Sequence, residues 1–244
     1  MSKIKSLLVI GASSDIGFRL TERFSREDVF IHAHYRKESE NLNALTKAFP
    51  QKIFSYQSDL VDKKAREDFI KNVIANAKTI DAVAFLAAPT FKLSRFHDLS
   101  WEDIDRHLAI QLHAAFDIFK SLVPQMAKQK FGRNVFVLSS CTLNVPPKNM
   151  ADYVVGKFAM LGLVKALAAE YSEKNVFFNA ISPSMVKTKY LDSIPELAVQ
   201  MNMQNHPLTR LAEPTEVVEA IHFLLSHSDY ISGVNLPLAG GQVY

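Results

Sequence analysis

Three side chains in the middle of the chain could transfer a proton to a carbonyl compound. Tyr153 and Lys157 lie four residues apart in a stretch with helical periodicity, and Ser140 ends an earlier apolar run. Residues four apart share one face of a helix, so the lysine ammonium would lie beside the phenol and favour its ionisation. The phenol could then donate its proton to a carbonyl oxygen that the serine hydroxyl holds in place. Such Tyr–Lys pairs also arise by chance on amphipathic helices, so the assignment depends on the rest of the sequence.

A glycine-containing turn near the start of the chain could hold a phosphate group. Residues 11–17 read GASSDIG and lie between an apolar run at 6–10 and a helical pattern at 16–24. Glycine allows a tight turn with a close backbone approach, and the first N–H groups of the following helix attract an anion. Many strand-to-helix turns contain glycine, but the position of this one after the first strand indicates a dinucleotide site.

Short apolar runs alternate with helical patterns along the chain, and together they must position these residues. The apolar runs lie at 6–10, 29–34, 52–56, 81–86, 134–139, 175–181 and 234–238, and the helical patterns at 16–24, 63–77, 101–129, 153–171 and 214–226. Strands that are apolar on both faces and alternate with helices form parallel sheets covered on both sides. The sequence therefore predicts an α/β fold of the Rossmann type, a doubly wound, parallel, seven-stranded sheet with helices on both faces.

No linker or repeat divides the chain, so residues 1–244 are predicted to form a single dinucleotide-binding domain. The long irregular stretch at 182–214 contains four prolines and three methionines. One interpretation is a short helical excursion packed by adaptable methionines. We favour a substrate flap at about 184–213, because loops of this length in compact domains are usually functional.

Composition excludes several classes of protein. The 244 residues are 48 % hydrophobic and 22 % charged, which excludes disorder as the main state. The net charge of +3 is dispersed and gives no support for nucleic-acid binding, and no segment reaches the roughly 20 apolar residues that span a membrane. The single cysteine, Cys141, excludes an intrachain disulfide or a cysteine zinc cluster and favours a reducing, cytoplasmic setting. His32 and His34 lack a visible ligand partner, so we predict a structural role and no metal site.

Motifs at matching intervals resemble those of the short-chain dehydrogenase/reductase family over the whole chain. The turn at 11–17 resembles the family's glycine turn, Asp59 and Leu60 resemble its adenine-contacting pair, and Ser140, Tyr153 and Lys157 match its Ser…Tyr-x-x-x-Lys signature. The segments 182–188, 207–214 and 239–241 resemble its C-terminal third. The 3-oxoacyl-acyl-carrier-protein reductases are the most similar branch. The resemblance implies a nicotinamide cofactor and a homotetramer built on the helices at about 101–129 and 153–171.

The choice between the two nicotinamide cofactors can be predicted from the end of the second strand. Enzymes specific for NAD carry an acidic residue there, which binds the ribose 2′-hydroxyl. Here residues 34–37 read HYRK, and no acid occurs before Glu38. Arg36, helped by Lys37 and Ser13, is therefore predicted to pair with a 2′-phosphate, which makes NADP(H) the expected cofactor.

The family pattern also assigns the site residues. The catalytic residues are expected to be Ser140, Tyr153, Lys157 and Gln111, with Gln111 at the position of the family's catalytic asparagine, where it would hold a water that links the lysine to solvent. The residues expected to bind the cofactor are Gly11, Ser13, Ser14, Asp15, Ile16, Gly17, Arg36, Asp59, Leu60, Ala87, Ala88, Tyr153, Lys157, Pro183, Val186 and Thr188.

Several positions depart from the family pattern and leave the substrate open. Asp15 replaces a glycine. It must face away from the pyrophosphate or cap the helix, because a carboxylate would repel a phosphate. Residues 85–88 read FLAA in place of the usual Asn-Asn-Ala-Gly. The predicted reaction is NADPH-dependent reduction of a ketone, and the resemblance favours a 3-oxoacyl group as the substrate. A basic face for an acidic carrier protein would comprise Lys128, Lys130, Arg133 and Lys174. The alternatives are an oxidoreductase of another small alcohol or ketone, such as a sugar or polyketide intermediate, and a non-catalytic NADP-binding subunit.

Overall fold

The computed structural model describes residues 4–90 and 92–242, in which seven parallel strands form one sheet in the order β3-β2-β1-β4-β5-β6-β7. The strands are β1 (Ser6–Ile10), β2 (Phe30–Tyr35), β3 (Ile53–Gln57), β4 (Ala82–Phe85), β5 (Gly132–Val137), β6 (Val176–Pro183) and β7 (Asn235–Leu238). This arrangement confirms the predicted fold class. Strand order reverses between β1 and β4, and ligands of open α/β sheets bind at such a switch point, outside the carboxyl ends of the strands.

Helices cover both faces of the sheet. They are α1 (Asp15–Ser25), α2 (Glu40–Ala48), α3 (Lys63–Asn76), α4 (Trp101–Leu108), α5 (Ala114–Gln129), α6 (Ala151–Tyr171), α7 (Glu196–Asn205) and α8 (Pro214–Ser226). The predicted helix at 101–129 is helical throughout, but a π-helical turn, Ala109–His113, separates α4 from α5. Within the described residues, no helix is long and apolar enough to cross a membrane.

Two apolar layers hold the sheet between the helices. On one face, Phe119 of α5 packs against Phe136 of β5 and Phe178 of β6, with ring centroids 5.0 and 5.3 Å apart. On the other face, Leu20 and Phe24 of α1 belong to a buried cluster that also contains residues of α8. Strands buried on both sides explain why the apolar runs in the sequence are continuous rather than alternating.

The segment between β6 and α8 contains α7 and a short 3₁₀ turn, Lys189–Ser193. Its two ends are joined to each other, because Val186 pairs with Ala212. The segment is fixed to the domain by His206, whose Nε2 atom lies 2.9 Å from the carbonyl oxygen of Ala239. Helix α7 itself contains no buried residue. The segment is therefore anchored at both ends and carries an exposed helix between them.

Candidate active site

A cavity of about 600 Å³ lies beyond the carboxyl ends of the central strands. Most of the predicted site residues line it: Gly11, Ser13, Ser14, Asp15, Ile16, Arg36, Asp59, Leu60, Ala87, Ala88, Ser140, Tyr153, Lys157, Pro183, Val186 and Thr188. The lining set does not include Gly17 or Gln111. Residues that are far apart in the sequence thus converge at the edge of the sheet where open α/β folds bind ligands.

The glycine turn has a geometry that larger residues could not adopt. Gly11 has φ +91°, and a Cβ atom there would lie 3.2 Å from the backbone nitrogen of Ala87. A Cβ atom on Gly17 would overlap the carbonyl oxygen of Gly11. Gly17 does not line the cavity, but its lack of a side chain allows α1 to begin directly against the turn. Ser14 caps α1, because its Oγ atom accepts a hydrogen bond of 3.1 Å from the Gly17 N–H.

Asp15 binds the flap segment rather than capping the helix. Its Oδ2 atom accepts a hydrogen bond of 2.7 Å from the backbone N–H of Lys189. This contact directs the carboxylate to the 3₁₀ turn, while the first N–H groups of α1 have no partner within the helix. The turn at 11–17 therefore fits an anionic group in spite of its carboxylate.

His34 supports the turn from β2, a role that the sequence did not reveal. The N–H groups of Gly11 and Ala12 donate to the carbonyl oxygen of His34 at 3.2 and 2.8 Å, and the His34 Nε2 atom lies 3.1 Å from the carbonyl oxygen of Ser58. Burial lowers the pKa of His34 to about 4. A neutral imidazole can donate from Nε2 to Ser58 and accept at Nδ1 from Gly11.

The end of the cavity next to β2 and β3 carries two exposed cations. Arg36 and Lys37 follow β2 directly and line the cavity. Asp59 follows β3, and its Oδ1 atom accepts a hydrogen bond of 3.0 Å from the N–H of Val61. Leu60 is buried, and its carbonyl oxygen accepts from Arg66 at 2.7 Å. This end therefore combines a positive charge with an apolar wall.

The opposite end contains the candidate reacting groups. The Lys157 Nζ atom donates to the carbonyl oxygen of Val137 at 2.9 Å and lies 5.6 Å from the centroid of the Tyr153 ring. Burial lowers the pKa of Lys157 to about 8. Ser140 follows β5 in a 3₁₀ turn, Ser140–Thr142, that the Ser139 hydroxyl caps. The tyrosine, the lysine and the serine thus line one side of the cavity, as their spacing predicts.

Gln111 lies behind these groups, in the π-helical turn between α4 and α5. Its side chain is completely buried, and a Cβ atom on Gly156 of α6 would overlap its Oε1 atom. Among the described residues, neither amide atom of Gln111 has a hydrogen-bond partner. Turns of the π type often occur at functional sites. The expected contribution of Gln111 to proton supply remains a prediction.

Comparison with known proteins agrees with this geometry. A family model described as enoyl-(acyl carrier protein) reductase matches residues 11–242. The chain belongs to the short-chain dehydrogenase/reductase family. It is 29 % identical to the 3-oxoacyl-[acyl-carrier-protein] reductase FabG of Thermotoga maritima, over 98 % of each chain. It is 30 % identical to the oxidoreductase UcpA of Salmonella typhimurium, over 98 % of this chain and 94 % of that one.

A solved structure of a relative shows the same fold. The crystal structure of NAD⁺-bound xylitol dehydrogenase has a TM-score of 0.86 and 26 % sequence identity, and the match covers 97 % of this chain and 98 % of that one. The protein is therefore an oxidoreductase of this family that resembles FabG.

In this short-chain dehydrogenase/reductase, the side of the cavity around Tyr153 is apolar. Cys141 and Tyr153 form a buried cluster against which Met150, Tyr190 and Ile194 pack. The Tyr190 hydroxyl donates to the carbonyl oxygen of Pro89 at 2.8 Å and so ties the flap segment to the loop after β4. Burial raises the pKa of both Tyr190 and Cys141, which keeps the phenol and the thiol protonated. Cys141 is thus a packing residue of this apolar cluster.

The predicted basic face is wrong at Arg133. This side chain is 3 % exposed, its Nη2 atom lies 3.0 Å from Asp229 Oδ1, and its guanidinium stacks between Phe131 and Phe177 at 4.6 and 4.2 Å. The positions of basic residues in the sequence do not show which of their side chains are buried in the fold. Arg133 joins β5 to the segment before β7 and is unavailable to a partner protein.

Proposed function

We propose that this protein is an NADPH-dependent ketone reductase that acts on a 3-oxoacyl group. One observation carries the proposal: Ser140, Tyr153 and Lys157 line the same cavity as the glycine turn and Arg36. A dinucleotide held by the turn would extend along the switch point toward the tyrosine, since both ends belong to one cavity. The convergence of an anion site and a proton donor is what hydride transfer to a ketone needs.

The chain's own residues account for binding of the cofactor. The first N–H groups of α1 would bind the pyrophosphate, Arg36 the 2′-phosphate, and Asp59 and Leu60 the adenine side. The remaining contacts are proposed for Gly11, Ser13, Ser14, Asp15, Ile16, Gly17, Ala87, Ala88, Tyr153, Lys157, Pro183, Val186 and Thr188. The tight contacts at Gly11 and Gly17 support this assignment, because a Cβ atom at either position would press against backbone atoms and α1 could not begin directly against the turn.

The reacting groups have separate roles in the proposed reaction. A bound nicotinamide supplies the hydride. Ser140 donates a hydrogen bond to the carbonyl oxygen of the substrate, and Tyr153 gives that oxygen its proton as negative charge develops there. The positive charge of Lys157 stabilises the resulting tyrosinate, and its bond to Val137 fixes the ammonium in place.

The apolar surroundings of Tyr153 favour an acyl substrate over a polyhydroxylated one. Buried sugar hydroxyls need hydrogen-bonding partners, whereas Cys141, Met150 and Ile194 offer an apolar surface. The lysines that remain of the predicted basic face, Lys128, Lys130 and Lys174, lie beside the amino ends of β5 and β6, whereas the cavity lies beyond the carboxyl ends, so they do not support docking of a carrier protein at the cavity. The flap at about 184–213 would close over the acyl group, and Tyr190 already bridges it to Pro89.

We further propose that the protein is a homotetramer and acts in the cytoplasm. Helices α5 and α6 expose Phe116, Val155 and Phe158, an apolar set on the helices that are expected to form the interface. Apolar surface of this kind on packed helices marks an interaction site. The reducing setting rests on the single cysteine, Cys141.

Substitution of the tyrosine tests the proposed reaction. NADPH oxidation is followed with a 3-oxoacyl thioester, and Tyr153→Phe should lower kcat by roughly a hundredfold to ten-thousandfold, since the ring remains but the proton donor is lost. Tyr230→Phe provides the matched control, because Tyr230 is fully exposed. NADPH affinity, measured by fluorescence, should be unchanged in both variants. A Tyr153→Phe enzyme that keeps most of its kcat would contradict the mechanism, and tight NADPH binding without turnover of any ketone would favour the non-catalytic subunit.

A further inference from the structure

A single side chain joins the glycine turn to the flap. Asp15, the first residue of α1, lies 174 residues before Lys189, and its Oδ2 atom accepts a hydrogen bond of 2.7 Å from the Lys189 N–H. Both residues line the cavity. Lys189 begins the 3₁₀ turn Lys189–Ser193, which directly follows Thr188, one of the residues proposed to bind the cofactor. The bond therefore connects the wall of the cavity that the glycine turn forms with the wall that the flap forms.

Asp15 supplies a cap that the flap does not provide for itself. Thr188 occupies the N-cap position of the 3₁₀ turn, but its side chain makes no capping hydrogen bond, and its hydroxyl donates instead to the carbonyl oxygen of Val186 at 3.2 Å. The first N–H groups of a helical turn need acceptors from outside it, and a carboxylate is a strong one. Helix α1 is already capped by Ser14, so the Asp15 carboxylate is free to serve the flap.

The same 3₁₀ turn is tied to the other side of the cavity by its second residue. The Tyr190 hydroxyl donates to the carbonyl oxygen of Pro89 at 2.8 Å, and the Tyr190 ring packs against the cluster of Cys141 and Tyr153. Helix α7, which follows the turn, contains no buried residue. The flap thus meets both walls of the cavity through two consecutive residues, and the loss of either bond should loosen it locally.

A dinucleotide bound at the glycine turn would lie beside the bond between Asp15 and the flap. The backbone N–H groups of Asp15 and Ile16 are among the first of α1, which are the groups proposed to bind the pyrophosphate. The backbone of Asp15 would then face the phosphate while its side chain holds the flap. The carboxylate repels a phosphate, so its charge does not favour cofactor binding. Any contribution of this side chain to retaining the cofactor must come through the flap.

We propose that Asp15 is a positioning residue that latches the flap against the glycine turn and thereby slows the release of the bound cofactor. In the cofactor-free protein the latch keeps residues 188–193 docked, so Thr188 and Tyr190 are in place before the dinucleotide arrives. The glycine that Asp15 replaces in the family pattern has no side chain that could make this bond. The effect on cofactor release rests on the proposed function, whereas the docking of the flap does not.

Hydrogen exchange of the cofactor-free protein tests the latch. In Asp15→Ala, the backbone amides of residues 188–194 should exchange about 3–10-fold faster than in the wild type, because one hydrogen bond is lost. Asp15→Asn keeps an acceptor of the same shape and should stay within about twofold of the wild type. Asp192→Ala is the matched control, since Asp192 is an exposed acid of the same turn that does not line the cavity, and it should leave the exchange unchanged. Exchange in Asp15→Ala equal to that of the wild type overturns the proposal.

The release of NADPH separates the hydrogen bond from the charge. Dissociation is followed by stopped-flow fluorescence while excess NADP⁺ displaces the bound NADPH. Asp15→Ala and Asp15→Asn both lose the negative charge beside the pyrophosphate, so the difference between them reports the hydrogen bond. NADPH should leave Asp15→Ala about 3–10-fold faster than Asp15→Asn, and equal rates would contradict the role of the latch in retaining the cofactor.

Two further outcomes keep the test decisive. Asp15→Gly also lacks the acceptor, so it should match Asp15→Ala in both measurements, and it takes the place of that variant if Asp15→Ala fails to fold. If the wild type binds no NADPH, the proposed function fails, while hydrogen exchange of the cofactor-free protein still decides whether Asp15 holds the flap.

Discussion

The close approach of α4 and α6 at Gly156 can be tested by adding a single methyl group. A Cβ atom on Gly156 would overlap the Gln111 Oε1 atom and lie 3.1 Å from the His107 Cβ atom. Gly162, six residues later in the same helix, provides the matched control, because no other part of the described chain outside its own helix backbone comes within 4 Å of its added Cβ atom. The two Gly→Ala substitutions are chemically identical, so their difference reports the packing between the helices.

The expected magnitudes follow from these contacts. Alanine is favoured over glycine in a helix by about 1 kcal/mol, and Gly162→Ala should raise the free energy of unfolding by that amount. Gly156→Ala gains the same propensity but loses about 1–3 kcal/mol to overpacking, because the fully buried Gln111 amide cannot swing into solvent. The two variants should therefore differ by about 1–3 kcal/mol in urea unfolding. Size-exclusion chromatography checks that both keep the wild-type oligomeric state.

A double variant and a rate measurement sharpen the test. Gly156→Ala combined with Gln111→Ala removes the overlapping amide, so it should be more stable than the two separate changes predict. Gly156→Ala should also lower kcat, since Lys157 is the next residue and a displacement of about 1 Å can cost roughly a hundredfold in rate. Equal stabilisation by Gly156→Ala and Gly162→Ala would refute the close approach of the helices.

Three further predictions address other parts of the molecule. Arg36→Ala should weaken NADPH binding by about 10–100-fold and NADH binding far less, because a charge-assisted bond to the 2′-phosphate is lost; equal losses in a fluorescence titration would remove the NADP assignment. Burial lowers the pKa values of His32 and His34 to about 4. As the pH falls from 6.5 to 4, only the unfolded chain gains protons at these two imidazoles, so the free energy of unfolding should fall by about 1.4 kcal/mol per pH unit for each histidine. His32→Phe should reduce that slope in urea titrations, and an unchanged slope would exclude His32 as a cause. Tyr190→Phe should cost about 1 kcal/mol and speed hydrogen exchange in the flap, because the bond to Pro89 is lost; unchanged exchange would show that this bond does not hold the flap.

The fold was predictable because its strongest signals are local and repeated. Strands that are apolar on both faces, separated by amphipathic helices, leave few alternatives to a doubly wound parallel sheet. Helix α2 was not among the helical patterns identified in the sequence, and α7 lies in the stretch at 182–214, for which a short helical excursion was one of two interpretations. Most residues of both helices are exposed. Strand β5 begins two residues earlier than predicted, at Gly132.

The candidate site was predictable where a motif lies within one turn or helix, and not where a role depends on distant contacts. The glycine turn and the Tyr153–Lys157 pair are set by local spacing, and the structure places them in one cavity. The support of the turn by His34 depends on the pairing of β1 with β2. The burial of Arg133 depends on Asp229 and on two aromatic rings from different segments. Those contacts exist only in the folded chain, so no short pattern in the sequence could indicate them.

Lys157 lowers the stability of the fold, because a charged ammonium is buried in the candidate site. Burial lowers the pKa of Lys157 from 10.5 to about 8. Below pH 8, where Lys157 is charged in the folded protein, this burial lowers the free energy of unfolding by about 3 kcal/mol. The loss disappears as the pH rises from 8 to the pKa of the unfolded chain, because the folded lysine is then neutral. An apolar side chain of similar length would fill the space beneath Tyr153 without that cost. Gln111 raises the same question, since its buried amide has no hydrogen-bond partner among the described residues. Packing explains neither side chain, whereas the proposed proton transfer from Tyr153 explains the lysine directly and accounts for a polar side chain at position 111.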